Sequence, residues 1–242
     1  MNIIKLSAIS STNDYLKELL SSGDIQNFTV VTADVQTGGR GQMGAVWNAE
    51  PGKNLTFSLL LKDLITNSAA IFSLNVAIAT AIADAVLSFG IADVSVKWPN
   101  DILAGNKKIA GILIENSFKS NGEIHSVIGI GLNVNQQNFN GLPKASSMAV
   151  AASREFDKNE VLTAVLNSIK QNILKLQDNG AAVLWQDYHD MLFKKGVPMP
   201  FEADGNRFMG IIQGVSENGY LQVLLENDTI VEYGLKEIQL LY

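Results

Sequence analysis

The 242-residue chain contains no cysteine, which excludes disulfide bridges, thiolate metal ligands and thiol catalysis. Histidine is nearly as scarce. With only His125 and His189 present, the sequence argues against a zinc cluster or a His-based triad, and each imidazole reads as an ordinary structural residue. Charged residues are 17% of the chain and leave a formal net charge of −6. That acidic balance argues against nucleic acid as the main partner. No apolar run approaches the roughly 18 uninterrupted residues that a membrane span needs. The opening MNIIKLSAISSTNDYL lacks the long apolar segment of a secretory signal. A cytoplasmic protein with no membrane or DNA partner is therefore expected. There are no internal repeats and no low-complexity linker.

What is abundant is apolar residues, 47% of the chain, ample for one large domain or a large and a small one. Glycine is concentrated in residues 34–54, DVQTGGRGQMGAVWNAEPGKN, where Gly38, Gly39, Gly41 and Gly44 surround a single cation, Arg40. Glycine lets a ligand approach the backbone closely, and successive backbone N–H groups can form an anion-binding concavity. The stretch reads as a mobile loop built to wrap an anion, or as a flexible hairpin connection without a ligand.

Residues 39–44 satisfy G-x-G-x-x-G, but a dinucleotide site also needs a strand before the glycines and a helix directly after them. The strand is there, FTVVTADV at 28–35. The helix is not, because Pro51 and Gly52 follow and then LTFSLLL at 55–61, an apolar run of strand length. The loop joins strand to strand, and a Rossmann site is rejected. No G-x-x-x-x-G-K-[ST] string exists, so this is not a P-loop.

Elsewhere the chain alternates elements. Residues 1–10 read as a strand, and Ser11 as the N-cap of a helix through Leu20. The Ser11-Thr12-Asn13 cluster then lies at a helix N-terminus, either as simple caps or where free N–H groups and hydroxyls meet a polar ligand. Ile71, Leu74, Ile78, Ile82, Val86 and Phe89 recur at helical spacing, with Gly90 as terminator. Val94, Val96 and Trp98 alternate with Ser95 and Lys97 before Pro99 turns the chain, and Asn100-Asp101 set a carboxylate where a strand emerges. Gly105-Asn106 make a turn. Lys107 reads as a solvated cation, whereas Lys108 enters the apolar strand 109–114 beside Gly111, where a lysine can become a fixed, partly desolvated charge. Asn121-Gly122 signal a two-residue hairpin into a strand at 124–132. If that strand persists, Asn133 and Asn135 share one face. Residues 141–152 read as a loop, Asp157 with Glu160 as a capping box, 162–176 and 181–193 as helices. From Gly196 onward short strands separated by Asp204-Gly205-Asn206, Glu217-Asn218-Gly219 and Glu226-Asn227-Asp228 read as a small all-β barrel.

Five of these stretches, in order, resemble the biotin protein ligase family: Ser11-Thr12-Asn13; Gln36-Thr37 with Gly39-Arg40-Gly41; Lys97-Trp98-Pro99-Asn100-Asp101; Lys108-Ile109-Ala110-Gly111-Ile112-Leu113; and Gly129-Ile130-Gly131-Leu132-Asn133. The resemblance covers nearly the whole chain. It implies an α+β fold, a mixed sheet with helices packed on it of the class II synthetase-like type, over residues 1–195. An SH3-like β-barrel would follow over 196–242. It implies that biotin and ATP form biotinyl-5′-AMP, with Mg²⁺ assisting, and that biotin then passes to a lysine of a biotin carboxyl carrier domain.

By the same resemblance Ser11, Thr12, Asn13 and Gln36 would hold the polar groups of biotin. Arg40, Gly41 and Gln42 would close over its carboxylate and the phosphate, with Lys108 as principal catalytic cation and Gly111 nearby. Gly39, Trp47, Asn54 and Asn133 would border the nucleotide. Lys97, Trp98, Asn100 and Asp101 complete the motif set, Asp101 orienting either a cation or the incoming lysine. Many members have arginine where Gln42 stands, which can hydrogen-bond but carries no charge. With the first motif ten residues from the start, a ligase without an N-terminal DNA-binding domain is expected. A homodimer is compatible with the resemblance. The nearest alternative is a lipoate- or octanoate-transferring relative; a non-catalytic biotin- or nucleotide-binding module is another.

Overall fold

The structure, a computed structural model, describes residues 1–23, 25–64, 71–120 and 122–242. Strand β1 (Asn2–Ile9) leads into helix α1 (Thr12–Ser22), capped by the Ser11 side chain, which accepts from Asp14 N. β2 (Thr29–Gln36) runs parallel to β1, and β3 (Leu55–Lys62) returns antiparallel. After α2 (Ile71–Ser88) come β4 (Val94–Lys97), β5 (Asp101–Ala104), β6 (Lys107–Phe118) and β7 (Ile124–Leu132). These seven strands form one sheet in the order β1-β2-β3-β7-β6-β5-β4. Three helices follow, α3 (Met148–Ala152), α4 (Lys158–Gln177) and α5 (Ala181–Asp190).

The sheet has two different faces, and strand parity decides which residue goes where. In β3 the odd residues Leu55, Phe57, Leu59 and Leu61 join the main core against α2, with Ile128 and Ile130 of β7. The even residue Leu60 packs instead with Leu16 of α1, Val31 and Val127 in a smaller core. The same even face carries Thr56 and Ser58, paired with Gly131 and Gly129. It is under this second face, beyond the end of α1, that space for a ligand is left.

Helix α2 is long and apolar enough to cross a bilayer, which the uninterrupted-run criterion did not anticipate, but 67% of it is buried inside the protein. Its Asn75 donates to Pro99 O at 2.8 Å, and Asn172 of α4 donates to Ala77 O at 3.1 Å, so these two amides beside the core are paired.

Several expectations shift. Residues 141–152 are not all loop: Ser147 caps α3, accepting from Val150 N. Helix α5 stops at Asp190, because Val96 N and O pair with Met191 O and Phe193 N; backbone pairing to β4 takes over from helix. The β6–β7 hairpin is longer than two residues, since Phe118 pairs with Ile124 and Lys119 N donates to Glu123 O. Gly122 has φ +88, while Asn121 lies outside the described residues. Strand β7 ends at Leu132, so Asn133 and Asn135 are not strand neighbours.

The C-terminal strands β8 (Pro198–Ala203), β9 (Asn206–Val215), β10 (Leu221–Leu225), β11 (Ile230–Tyr233) and β12 (Gln239–Leu240) form an antiparallel sheet in the order β11-β10-β9-β8-β12. The described pairings do not join its two outer strands. Phe201, Ile212, Val215 and Leu221 belong to the main core, and Trp98 Nε1 donates to Gly219 O at 2.9 Å.

Candidate active site

A cavity of about 200 Å³ lies between the sheet and the glycine stretch. Its wall at one end is the α1 N-terminus. Thr12 N and Thr12 Oγ1 both donate to Gln36 Oε1, at 3.0 and 3.1 Å. Ser58 Oγ sits 2.7 Å from Thr12 Oγ1 and 2.5 Å from Asn13 Oδ1, and Asn13 Nδ2 donates to Glu115 Oε2 at 2.7 Å. Ser11, Thr12, Asn13 and Ser58 are all buried. A helix start leaves N–H donors unpaired, so this end is a buried, pre-ordered polar cluster.

The floor is made of glycine. Gly111 of β6 and Gly131 of β7 are register partners, and Gly129 faces Leu113. A Cβ on Gly129 would lie 2.5 Å from Asn13 Oδ1; one on Gly111 would lie 3.1 Å from Lys108 Nζ. The missing side chains are the space that the polar cluster, the lysine and the Trp47 ring occupy.

The roof is the glycine stretch, folded as a hairpin rather than as an open loop. Arg40 and Val46 form an isolated antiparallel bridge, Gly41 N donates to Ala45 O, and Trp47 N donates to Gly39 O. Gly44 takes φ +83 at the tip. Gly39 is required because a Cβ there would meet Trp47 O at 2.3 Å. Trp47 folds its indole onto the glycine floor; its Nε1 is buried with no partner among the described residues, a donor left for a ligand.

Two cations flank the cavity. Arg40 forms an ion pair with Asp14 and lies 3.8 Å from Glu115. The hydrogen bond to Asp14 raises the Arg40 pKa above its ordinary value, against a lowering by burial. Lys108 Nζ is 2.6 Å from Asp101 Oδ1 and 5.6 Å from the centre of the Trp47 ring. How Lys108 reaches this face is a matter of backbone irregularity. The β5–β6 register shifts between Ile102 and Leu103, so that Ala110 opposes Ile102 while Lys108 opposes Leu103. Ile109 is the extra residue, and Ile109 and Ala110 both enter the main core. A bulge re-aims the side chains beyond it. By strict alternation Lys108 would share a face with Ala110 and Ile112; the bulge instead puts it beside Gly111 and Asp101.

The structure therefore gathers Ser11, Thr12, Asn13, Gln36, Arg40 and Gly41 around one cavity, together with Gln42, Trp47, Asn100, Asp101, Lys108 and Gly111. Gly39, Asn54 and Asn133, expected beside a nucleotide, are not among the residues that line it. Asn54 is buried, donating to Gln136 Oε1 at 2.5 Å and accepting from Val134 N at 3.0 Å; Asn133 donates to Ser146 O at 2.9 Å. Both help to hold the chain after β7, and Asn133 Oδ1 is buried with no partner among the described residues. Lys97 and Trp98 line an adjoining cavity of about 570 Å³, with Lys144 and Tyr242. Burial lowers the Lys97 pKa, and Lys108 and Lys144 add to that against Asp101, which raises it.

Asp14, Glu115 and Ser58 were not singled out by the sequence reading. A signal existed for two of them: Ser58 is a polar residue inside the apolar run LTFSLLL, and Glu115 has the parity of Gly111 and Leu113.

Comparison with known proteins agrees with this architecture. The family model for the biotin/lipoate A/B protein ligase family matches residues 6–134. A curated relative from Bacillus subtilis (strain 168), the bifunctional ligase/repressor BirA, is 30% identical over 98% of this chain and 72% of its own. The biotin–[acetyl-CoA-carboxylase] ligase of Mycobacterium tuberculosis is 29% identical over 91% of this chain and 82% of its own. Among solved structures, biotin protein ligase from Aquifex aeolicus in complex with biotin and ATP superposes with a TM-score of 0.81 at 28% identity, covering 99% of this chain and 98% of that one. Matched by that model over more than half its length, the chain belongs to the biotin/lipoate A/B protein ligase family.

Proposed function

We infer that this protein is an ATP-dependent biotin–[acetyl-CoA-carboxylase] ligase. A carboxylate oxygen of biotin attacks the α-phosphorus of ATP; the bond to the β-phosphate bridging oxygen breaks, and pyrophosphate leaves. In the second half-reaction the amine of a carrier-domain lysine attacks the acyl carbon of biotinyl-5′-AMP, and AMP departs with the former carboxylate oxygen. The observation that carries the reading is one cavity with a buried polar cluster at the α1 end, Arg40 on the hairpin resting on Asp14 beside it, and Lys108 on Asp101 away from the cluster. That layout suits a ligand with a polar head and a carboxylate that must be brought to a phosphate.

In this reading Ser11, Thr12, Asn13 and Gln36 receive the polar head, and the Trp47 ring with the glycine floor flanks the apolar part. Lys108 and Arg40 neutralise charge on the carboxylate and α-phosphate; phosphoryl transfer asks the protein for positioning and electrostatics more than for covalent help. Both cations rest on carboxylates in the ligand-free chain, so an anion that displaces Asp14 and Asp101 meets groups already in place. Gln42, on the hairpin, supplies a neutral hydrogen bond. ATP would enter as its Mg²⁺ complex, and Asp101, the carboxylate among the described lining residues, would be free to help hold the ion once an anion takes its place on Lys108. Residues 1–195 form the catalytic domain and 196–242 a C-terminal β domain that closes the adjoining cavity. The acceptor is a biotin carboxyl carrier domain, and the setting is cytoplasmic.

The test is pyrophosphate release from ATP with biotin, beside the same assay with lipoate or octanoate. Turnover with biotin alone supports the assignment. Turnover only with lipoate or octanoate makes the protein the other kind of family member, and binding without turnover makes it a non-catalytic module.

A further inference from the structure

We propose that Asp63, Glu123 and His125 form a binding site for a divalent transition-metal ion of the Zn²⁺ class, at the end of the sheet opposite the active-site cavity. Asp63 directly follows β3, Glu123 directly precedes β7, and His125 is the second residue of β7, paired with Lys62. One donor atom from each of the three lies within 4.8 Å of the others. His125 Nε2 is 3.6 Å from Asp63 Oδ1 and 3.7 Å from Glu123 Oε2. These separations are long for hydrogen bonds. They are near the spacing of about 3.4 Å between adjacent donors on a tetrahedral ion with bonds of about 2.1 Å.

The backbone holds the donors in place. Asp63 adopts φ +56, a left-handed conformation that aspartate tolerates better than most residues, and its N–H donates to Ile124 O at 3.1 Å. His125 is only 9% exposed, whereas the Asp63 and Glu123 side chains are 49% and 46% exposed. The imidazole is thus fixed from the protein side, and the carboxylates leave the solvent side open for a water ligand, as a three-ligand site requires.

The competing account is a His125 that only bridges the two carboxylates, with no ion between them. His125 Nδ1 is buried and has no partner among the described residues. Nε2 is the ring nitrogen turned toward the two carboxylates. One imidazole with two carboxylates, and no thiolate, suits Zn²⁺ or a neighbouring first-row ion. Four residue steps along β3, from Ser58 to Lys62, separate this place from the polar cluster, about 13 Å. The ion would tie the end of β3 to the start of β7 and would not touch substrate.

The experiment is ZnCl₂ titration of the full chain, freed of metal and without nucleotide or biotin, read by calorimetry and by the thermal unfolding midpoint. The expected result is one Zn²⁺ per chain and a raised midpoint. His125→Gln should abolish both. Asp63→Asn, at an exposed position that leaves the fold undisturbed, should weaken binding by about tenfold or more, at least the cost of losing an outer-shell partner. Absence of stoichiometric binding overturns the proposal, as does binding that survives both substitutions. A His125 that only bridges the carboxylates gives the first of these results.

Discussion

Gly131 lies so close beneath Trp47 that a Cβ on it would meet Trp47 Cε2 at 2.2 Å. A single methyl group there must displace the indole, and with it the hairpin from Gly39 to Trp47 that forms the cavity roof. Gly131→Ala is therefore expected to leave the far-ultraviolet spectrum intact, shift the tryptophan fluorescence and cut pyrophosphate release. In a Trp47→Ala background the same change should cost much less, because the clash is gone. Equal losses in both backgrounds would show that Gly131 acts through something other than the indole.

Lys108→Ala should give a folded protein that forms adenylate poorly. A hydrogen bond to a charged group contributes about 1.5–3 kcal/mol, which is roughly 10- to 150-fold in rate, and more where the contact tightens in the transition state. Pyrophosphate release at the unmutated rate would remove Lys108 from the chemistry.

Arg40 is the only trypsin site between Lys17 and Lys53, and its side chain is 46% exposed. Glycine-rich chain loses much entropy on ordering, so the hairpin is expected to open in the free protein and to close when ligands engage Arg40. Cleavage after Arg40 should slow markedly with biotin and ATP together and less with ATP alone. If the cut proceeds equally fast at saturating ligand, the hairpin is not a ligand-linked lid.

Tyr188 is fully buried among Phe72, Trp185 and His189, and its hydroxyl has no partner among the described residues. Burial pushes its phenol pKa up. Removing a buried, unpaired hydroxyl while keeping the ring removes a desolvation cost. Tyr188→Phe should be neutral or more stable by about 1 kcal/mol in denaturant unfolding. A loss of stability would mean that the hydroxyl has found a partner.

Lys97 makes stability depend on pH. Its folded-state pKa lies below the ordinary 10.5, chiefly through burial. Between the folded value and 10.5 the unfolded chain binds more protons than the folded one, so stability rises with pH across that window. Below it the charged, buried lysine is a full penalty. Lys97→Met should raise the unfolding midpoint at pH 7 and flatten the alkaline rise, with Asp101 still held by Lys108. A midpoint lowered at pH 7 would show that the pairing with Asp101, 4.0 Å away, outweighs burial.

Much of this protein was legible along the chain, because the signals involved are local. The Ser11 cap, the strand-to-strand glycine stretch, the apolar stripe of α2 and the Asp157 cap all follow from side-chain chemistry within a few residues. The ordered motifs carried the family, and with it the α+β catalytic fold. Tertiary structure decided what depends on partners distant in sequence. Helix α5 ends at Asp190 because residues 191–193 find Val96. Asn54 turns inward because Gln136 and Val134 wait there. Asp14 and Glu115 become the resting partners of Arg40 only once α1, β6 and the hairpin meet. Lys108 is the sharpest case: alternation along KKIAGI points it into the core, and the extra residue at Ile109, visible only in the pairing of β5 with β6, turns it into the cavity. Local sequence sets the parity of a strand; where that parity slips is set by the strand beside it.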